Sequence, residues 1–315
     1  MVLICDLRDD ALSAAITIQS LPCSAEDAAR LALRLELPFH RIEQHSFPDG
    51  EVRVTIGPAS PTTIIYASLD HPNDKLVALL FAAEALRRGS CKRIVLLSPY
   101  LCYMRQDAAF RKGEAISQMA IGRLLAGIAD RIITVDAHLH RTREIATVFP
   151  DIEAVNLSAM PVIAETLRAE GIAPATVIIG PDAESRPWVA DLANRVGLSH
   201  TIAQKMRRGD RLVEISFDEP GLIAGRPALM IDDIVSSGGT LMACAKALAG
   251  AGATTIDAVV THALFPAPLQ HDMALAGIRS IRSTHSVPHP TNAFILDDLY
   301  VAALRSELGG GEKIK

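Results

Sequence analysis

The stretch ALMIDDIVSSGGT, residues 228–240, is an apolar run closed by two acids, two serines, two glycines and a threonine. It reads as a buried strand ending in a loop, because the run is too short to cross a membrane and the polar residues follow without alternation. From Gly239 the sequence continues GTLMACAKALAGAG, with Leu241, Cys244, Ala245 and Leu248 at helical spacing, so the loop opens straight into a helix. A glycine-rich turn at a helix start leaves backbone N–H groups unpaired, and the helix dipole adds about half a positive charge there. The loop is therefore expected to hold an anion. Asp232 and Asp233 precede it at the strand's C-terminal end, where open α/β sheets bind ligands, and can accept hydrogen bonds from vicinal hydroxyls. An anion below and a diol above describe a sugar phosphate. Asp and Ser are also ordinary helix caps, and a lone Gly-Gly would carry no more than that. Here acids, hydroxyls and glycines coincide between strand and helix, which favours a binding site.

The chain of 315 residues, 49% hydrophobic, is long enough for two cores, and two α/β domains are expected. A net charge of -5 with mixed signs offers no basic face for nucleic acid and no polybasic membrane anchor. Apolar stretches are interrupted by Arg or Lys, and Asp6 arrives too early for a signal peptide, so a soluble cytoplasmic protein acting on a small molecule is expected. Five cysteines stand singly, suggesting reduced packing residues rather than a disulfide framework or zinc site.

Taken in order, a strand is expected around 2–5, a helix over 25–37, and a hairpin over 41–56 whose tip is Phe47-Pro48-Asp49-Gly50-Glu51. Strands over 63–68 and 93–99 flank a helix over 74–88. The second leads into the polar segment Tyr103-Met104-Arg105-Gln106-Asp107, and then Gly113-Glu114-Ala115-Ile116-Ser117. After a helix over 117–129 and a strand over 131–135 come Asp136-Ala137-His138-Leu139-His140, where a His-x-His spacing could present metal ligands. The pattern restarts near 150–158, dividing the chain into 1–156 and 157–315. The second half reads as helix 159–170, strand 176–180, turn Pro181-Asp182, helix 186–196 and strand 199–203. Lys205-Met206-Arg207-Arg208-Gly209-Asp210-Arg211 reads as a basic turn, solvated or acting as a mobile cationic lid, before an extended 212–217. Beyond the 228–240 unit lie a strand over 256–261, an irregular proline-containing segment and a helix over 296–308. Val135-Asp136-Ala137-His138 stands roughly where Ile231-Asp232-Asp233-Ile234 stands in the second half, which points to an old duplication.

These motifs together resemble the ribose-phosphate diphosphokinase family, over most of the chain and in the family's order. Phe47-Pro48-Asp49-Gly50-Glu51 is similar to its F-x-D-G-E element, Tyr103 to Asp107 to Y-x-R-Q-D, Val135 to His138 to V-D-x-H, and Pro181-Asp182 to its P-D turn. The 228–240 loop resembles the phosphoribosyl-pyrophosphate loop shared with type I phosphoribosyltransferases. The resemblance implies two phosphoribosyltransferase-like (Rossmann-like) α/β domains with mostly parallel sheets. It further implies ATP contacts at Phe47, Asp49 and Glu51, from a neighbouring subunit, and at Arg105, Gln106 and Asp107. Magnesium (Mg2+) would lie at His138 and Asp182, the transferring phosphates at Lys205 and Arg207, and ribose 5-phosphate at Asp232, Asp233, Ser236, Ser237, Gly238, Gly239 and Thr240. A homo-oligomer built from dimers follows from the shared ATP site.

The run Leu139-His140-Arg141-Thr142-Arg143-Glu144 departs from the glutamine-rich run of the common bacterial form, and Phe110 to Ser117 looks closer to the archaeal type. No G-x-x-x-x-G-K-[ST] loop exists to hold a triphosphate. Two other readings remain: a phosphoribosyltransferase using the activated sugar as donor, and a non-catalytic regulatory relative of the synthase.

Overall fold

The computed structural model describes residues 15–309 except His140, Arg143 and 209–211, with the backbone alone for 205–208 and 212–214. The first half contains β1 (Ile16–Ser20), α1 (Ala25–Leu35), β2 (Phe39–Arg41), β3 (Glu43–Ser46), β4 (Val52–Thr55), β5 (Thr62–Tyr66) and α2 (Pro72–Arg88). It continues with β6 (Arg93–Leu97), α3 (Ser117–Ala126), β7 (Arg131–Val135), α4 (Ile145–Val148) and β8 (Glu153–Leu157). The second half contains α5 (Met160–Ala169), β9 (Val177–Gly180), α6 (Arg186–Val196), β10 (His200–Arg208), β11 (Leu212–Phe217) and β12 (Pro227–Val235). After these come α7 (Gly239–Gly250), β13 (Thr255–Ala263), α8 (Leu269–Leu275), β14 (Ser280–Thr284), β15 (Asn292–Phe294) and α9 (Asp297–Leu308).

Two sheets result, mostly parallel as expected. One runs β2-β1-β5-β6-β7-β8 and the other β11-β10-β9-β12-β13-β14-β15, with antiparallel pairing only where β11 joins β10. Without β11 the two orders are the same, which fits a duplication. The match is not the one the motifs suggested, however: β12 occupies the place of β5, not of β7. Asp136 after β7 and Asp232 in β12 are therefore not counterparts, since an acid at a strand's C-terminal end is simply what several of these strands carry.

Packing is layered. One continuous core contains Ile18, Ile64 and Ile133 from the first sheet, Ile178, Leu229 and Ile231 from the second, and apolar residues of α1, α5, α6 and α9 between them. The outer faces are covered by α2 with α3 and α4, and by α7 with α8. Among the described residues no helix is long and apolar enough to cross a membrane.

Two expectations are corrected, and a third falls outside the described residues. The strand around 2–5 lies outside the described residues, and the first described strand is β1, hidden from pattern reading because Thr17, Gln19 and Ser20 are polar yet buried. Gln19 is satisfied there by Gly57 N–H and the Pro58 carbonyl. Residues 205–208 are not a turn but the end of β10, where Lys205 pairs with Ile215 and Arg207 with Val213; pairing with β11 replaces the apolar pattern a buried strand would show. The proline-containing segment before α9 holds α8, β14 and β15, too short to leave a period in the sequence.

α9 returns from the second half to the first. Asp297, 1% exposed, accepts from Arg30 Nε (2.6 Å) and Nη2 (3.0 Å) of α1, with His285 Nε2 at 3.1 Å. Leu296 N–H donates to His285 Nδ1 (3.0 Å), so the ring's proton sits on Nε2, facing the carboxylate. Burial alone would raise the pKa of Asp297, but the bonds from His285 and Arg30 outweigh it and bring the pKa down to about 2. Because this lies below the ordinary value of about 3.9, the contribution to stability is complete above that value and is lost as pH falls toward 2. Asp297→Asn should cost about 3–5 kcal/mol in urea unfolding at pH 7. The gap to the unsubstituted protein should narrow below pH about 4; a gap independent of pH would show that the carboxylate's charge does not matter.

A candidate anion and nucleotide cleft

The C-terminal ends of both sheets open into one cleft of about 450 Å³, lined by Arg105, His138, Asp182, Asp232 and Asp233 and by the loop from Ile234 to Leu241. In the second sheet β9 and β12 are neighbours although α6, β10 and β11 separate them in the chain, so the chain reverses its direction of growth between them. Such switch points leave a crevice at the strand ends, and here Asp182 follows β9 while Asp232 and Asp233 lie near the end of β12.

The loop's backbone is shaped by one glycine. Gly238 has φ +69°, and a Cβ there would meet Met273 Cε at 2.8 Å and Leu269 Cδ2 at 3.2 Å. Gly239, by contrast, begins α7 beside open space: the nearest atom to a Cβ would be Ser237 Oγ at 3.9 Å. The first N–H groups of α7 have no partner within the helix, so they can receive an anion.

The acids differ in state. Asp233 Oδ2 lies 2.5 Å from His138 Nδ1, and its Oδ1 accepts from Ile234 N–H at 2.8 Å. Burial pushes Asp233 up, but the bond and charge of His138 hold it below the ordinary carboxylate range. Asp232 is driven well above that range by burial, then by the charges of Asp233 and Asp182. Asp233 is therefore the ionised partner of His138, and Asp232 takes up a proton first.

His138 is held by what precedes it. Asp136 has φ +38° and is buried; its Oδ2 accepts from Ala159 N–H (3.1 Å) and Thr261 Oγ1 (2.9 Å), and its Oδ1 from Trp188 Nε1 (3.1 Å). Burial raises its pKa to about 6 against those bonds. Beside it His262 donates from Nε2 to the Val135 carbonyl at 3.0 Å, and burial lowers its pKa to about 4, so it is neutral at pH 7.

The remaining candidates are distributed around this centre. Arg105 is exposed and reaches the cleft. Gln106 Oε1 accepts from Ser117 Oγ (2.8 Å), and both oxygens of Asp107 accept from Arg141. Asp182 caps the turn that follows it, its Oδ1 accepting from Glu184 N–H and Ser185 N–H. Lys205 and Arg207 stand on β10, one and three residues beyond Gln204, which lines the cleft. Phe47, Asp49 and Glu51 are not brought to it: they form the exposed tip of the separate β3–β4 ribbon, where Phe47 packs edge-on against His45. Gln204, Glu184, Asp136 and Trp188 went unrecognised in the sequence; only Asp136 carried a signal, as the acid beside His138. Among the described residues no group of three or more His, Cys, Asp or Glu side chains is placed to hold a metal. Asp182 offers the kind of carboxylate oxygen that holds a hard divalent cation together with water and phosphate oxygens, and His138 lines the same cleft.

Residues 16–128 match the family described as the N-terminal domain of ribose phosphate pyrophosphokinase, and residues 161–274 the phosphoribosyl transferase domain. The ribose-phosphate pyrophosphokinase of Methanopyrus kandleri is 32% identical over 263 residues, 83% of this chain and 89% of that protein. That of Aquifex aeolicus is 32% identical over 248 residues, 77% and 78% of the two chains. In fold the chain matches the crystal structure of phosphoribosylpyrophosphate synthetase from Mycobacterium smegmatis, with a TM-score of 0.82 at 23% identity, covering 94% of this chain and 99% of that one.

The two loop glycines should respond differently to alanine. Gly238→Ala meets both strain and collision, and should lower stability by at least about 1–2 kcal/mol in urea unfolding. Gly239→Ala should leave stability within about 0.5 kcal/mol but weaken inorganic phosphate binding in calorimetry by about tenfold, a loss of about 1.4 kcal/mol. Unchanged phosphate affinity in Gly239→Ala would mean the anion does not approach this backbone.

Proposed function

We propose that this chain, which belongs to the ribose-phosphate pyrophosphokinase family, transfers the β,γ-diphosphoryl group of ATP to the C1 hydroxyl of ribose 5-phosphate, giving phosphoribosyl pyrophosphate and AMP. The observation that carries this reading is that a phosphate-type loop and an acid pair from one sheet share a cleft with Arg105 and His138 from the other. A phosphoribosyltransferase acting on a base would need the second half alone.

In this reading Ser236, Ser237, Gly238, Gly239 and Thr240 hold the sugar's 5-phosphate, and Asp232 and Asp233 face its hydroxyls. The C1 oxygen attacks the β-phosphorus in line; the bond to the bridging oxygen of the α-phosphate breaks, AMP leaves, and the hydroxyl proton is lost. Such transfers depend on positioning and charge neutralisation more than on covalent chemistry. Arg105, with Lys205 and Arg207 on β10, supplies fixed positive charge. His138 and Asp182 would hold Mg2+, which when bound neutralises and orients the phosphates. Gln106 and Asp107 belong to the nucleotide side.

The exposed Phe47–Glu51 tip, remote from its own cleft, would complete the ATP site of a second copy, its ring covering the base while Asp49 and Glu51 accept from an amino group. This makes the protein a homo-oligomer built from dimers. The halves 1–156 and 157–315 then act as nucleotide-side and sugar-side domains, with α9 of the second fastening onto the first. Its substrates are metabolites of the cytoplasm, the compartment assigned here.

Purified protein given ATP, ribose 5-phosphate and magnesium should release AMP in proportion to phosphoribosyl pyrophosphate, and none without the sugar; absence of AMP would leave the regulatory reading. Lys205→Ala should lower kcat about 10²–10³-fold with both KM values within a few-fold, as for a donor acting on developing charge. A rise in the ATP KM alone would make Lys205 a ground-state contact. Phe47→Ala mixed with Lys205→Ala should regain activity through hybrid sites, whereas a fully active monomer would refute the shared site.

A further inference from the structure

The segment after β7 that departs from the common bacterial run makes the most specific contact with the nucleotide side. Arg141 N–H donates to Asp107 Oδ2 at 3.0 Å and Arg141 Nη1 to Asp107 Oδ1 at 2.6 Å, so one residue engages both carboxylate oxygens. The Asp107 side chain is 1% exposed beneath it. The same guanidinium lies 5.3 Å from the centre of the Phe110 ring, which would otherwise stand uncovered at the loop's tip. Next in sequence, Thr142 Oγ1 donates to Gln118 Oε1 at 3.1 Å, and Gln118 Nε2 donates to the Met104 carbonyl at 3.2 Å.

These bonds matter because the segment between β6 and α3 has no ladder to hold it. Tyr100, Leu101, Cys102 and Met104 anchor its start in the outer core, and beyond them the described ties are few: Glu114 Oε2 accepts from Phe110 N–H and Arg111 N–H, Gln106 accepts from Ser117 Oγ at its side chain and from Gln118 N–H (3.2 Å) at its carbonyl, and Tyr103, at φ +61°, donates its hydroxyl to Asn73 of α2 at 2.5 Å. Asp107, gripped by Arg141 from the segment after β7, and Met104, whose carbonyl is held by Gln118 of α3, bracket Arg105 and Gln106. An irregular loop held at both sides of two residues presents them in one orientation, and that lowers the ordering cost of binding.

We propose that Arg141 is a positioning residue for the nucleotide, which by clasping Asp107 holds Arg105 and Gln106 toward the cleft; this rests on the ATP reading of that side. Asp107 then acts through the clasp rather than as the direct ATP contact that the resemblance implied. Arg141, from the run that departs from the bacterial form, is in this way tied to the nucleotide side.

The test is a mutant cycle with Arg141→Ala, Asp107→Ala and the double variant. Calorimetry would measure the affinity of a non-hydrolysable ATP analogue and, separately, of ribose 5-phosphate. Hydrogen bonds to charged groups contribute about 1.5–3 kcal/mol, so each single variant should weaken nucleotide binding about tenfold or more. The double variant should be no worse than the weaker single, because the pair acts as a unit. Ribose 5-phosphate affinity should not change. If an alanine variant does not fold, Arg141→Gln and Asp107→Asn complete the same cycle. Losses that add would mean two independent ligand contacts, and unchanged nucleotide affinity would mean a purely structural fastener; either overturns the proposal. An unsubstituted protein that binds the analogue but releases no AMP would refute the reaction and leave the clasp standing.

Discussion

The geometry of the cleft depends on one buried carboxylate. Asp136 ends the first sheet's β7 in a left-handed conformation and is met by donors from Ala159 at the start of α5, Trp188 on α6 and Thr261 on β13. All three donors belong to elements of the second half, so the carboxylate fastens one sheet to the other at the rim of the cleft. Without it the backbone two residues before His138 would relax, and the 2.5 Å contact between His138 and Asp233 would have nothing to fix its first-sheet partner. At the far side, the Asp297 cluster ties α9 to α1. Between these ties runs a continuous apolar core.

That arrangement explains why the site combines opposite charges. A cleft holding Asp182, Asp232 and Asp233 would repel phosphates by itself. The helix start at Gly239 and the exposed Arg105, which line the same cleft, offset this locally. Burial separates the two adjacent acids: His138 keeps Asp233 ionised, while Asp232 is pushed toward protonation. Binding of a cation or of sugar hydroxyls would restore charge to Asp232, so the acid pair is poised to respond to a ligand.

How much of this could be read from the sequence follows from what each element buries. β7, α6 and β11 lie where the pattern put them, because an apolar run, or helical periodicity between turn residues, survives into the fold. β1 was missed since its buried residues include Thr17, Gln19 and Ser20, of which Gln19 is satisfied by hydrogen bonds to Gly57 and Pro58 that the sequence does not display. The end of β10 was read as a turn because its strand character comes from pairing with β11. The loop at 236–240 was legible as a strand-to-helix turn, because acids, hydroxyls and glycines coincide there between an apolar run and a helical period. The roles of Asp136 and Arg141 were not, because both depend on partners that folding brings from distant or separate segments.

The central claim is that one cleft holds a sugar phosphate against β12 and a nucleotide against the first sheet. A crystal structure with ribose 5-phosphate and a non-hydrolysable ATP analogue tests it most directly. The account predicts the 5-phosphate within about 3 Å of the amides of residues 236–240, the sugar hydroxyls facing Asp232 and Asp233, and the polyphosphate between Arg105 and His138. A sugar phosphate bound elsewhere, or lying with its hydroxyls turned away from the acid pair, would contradict it.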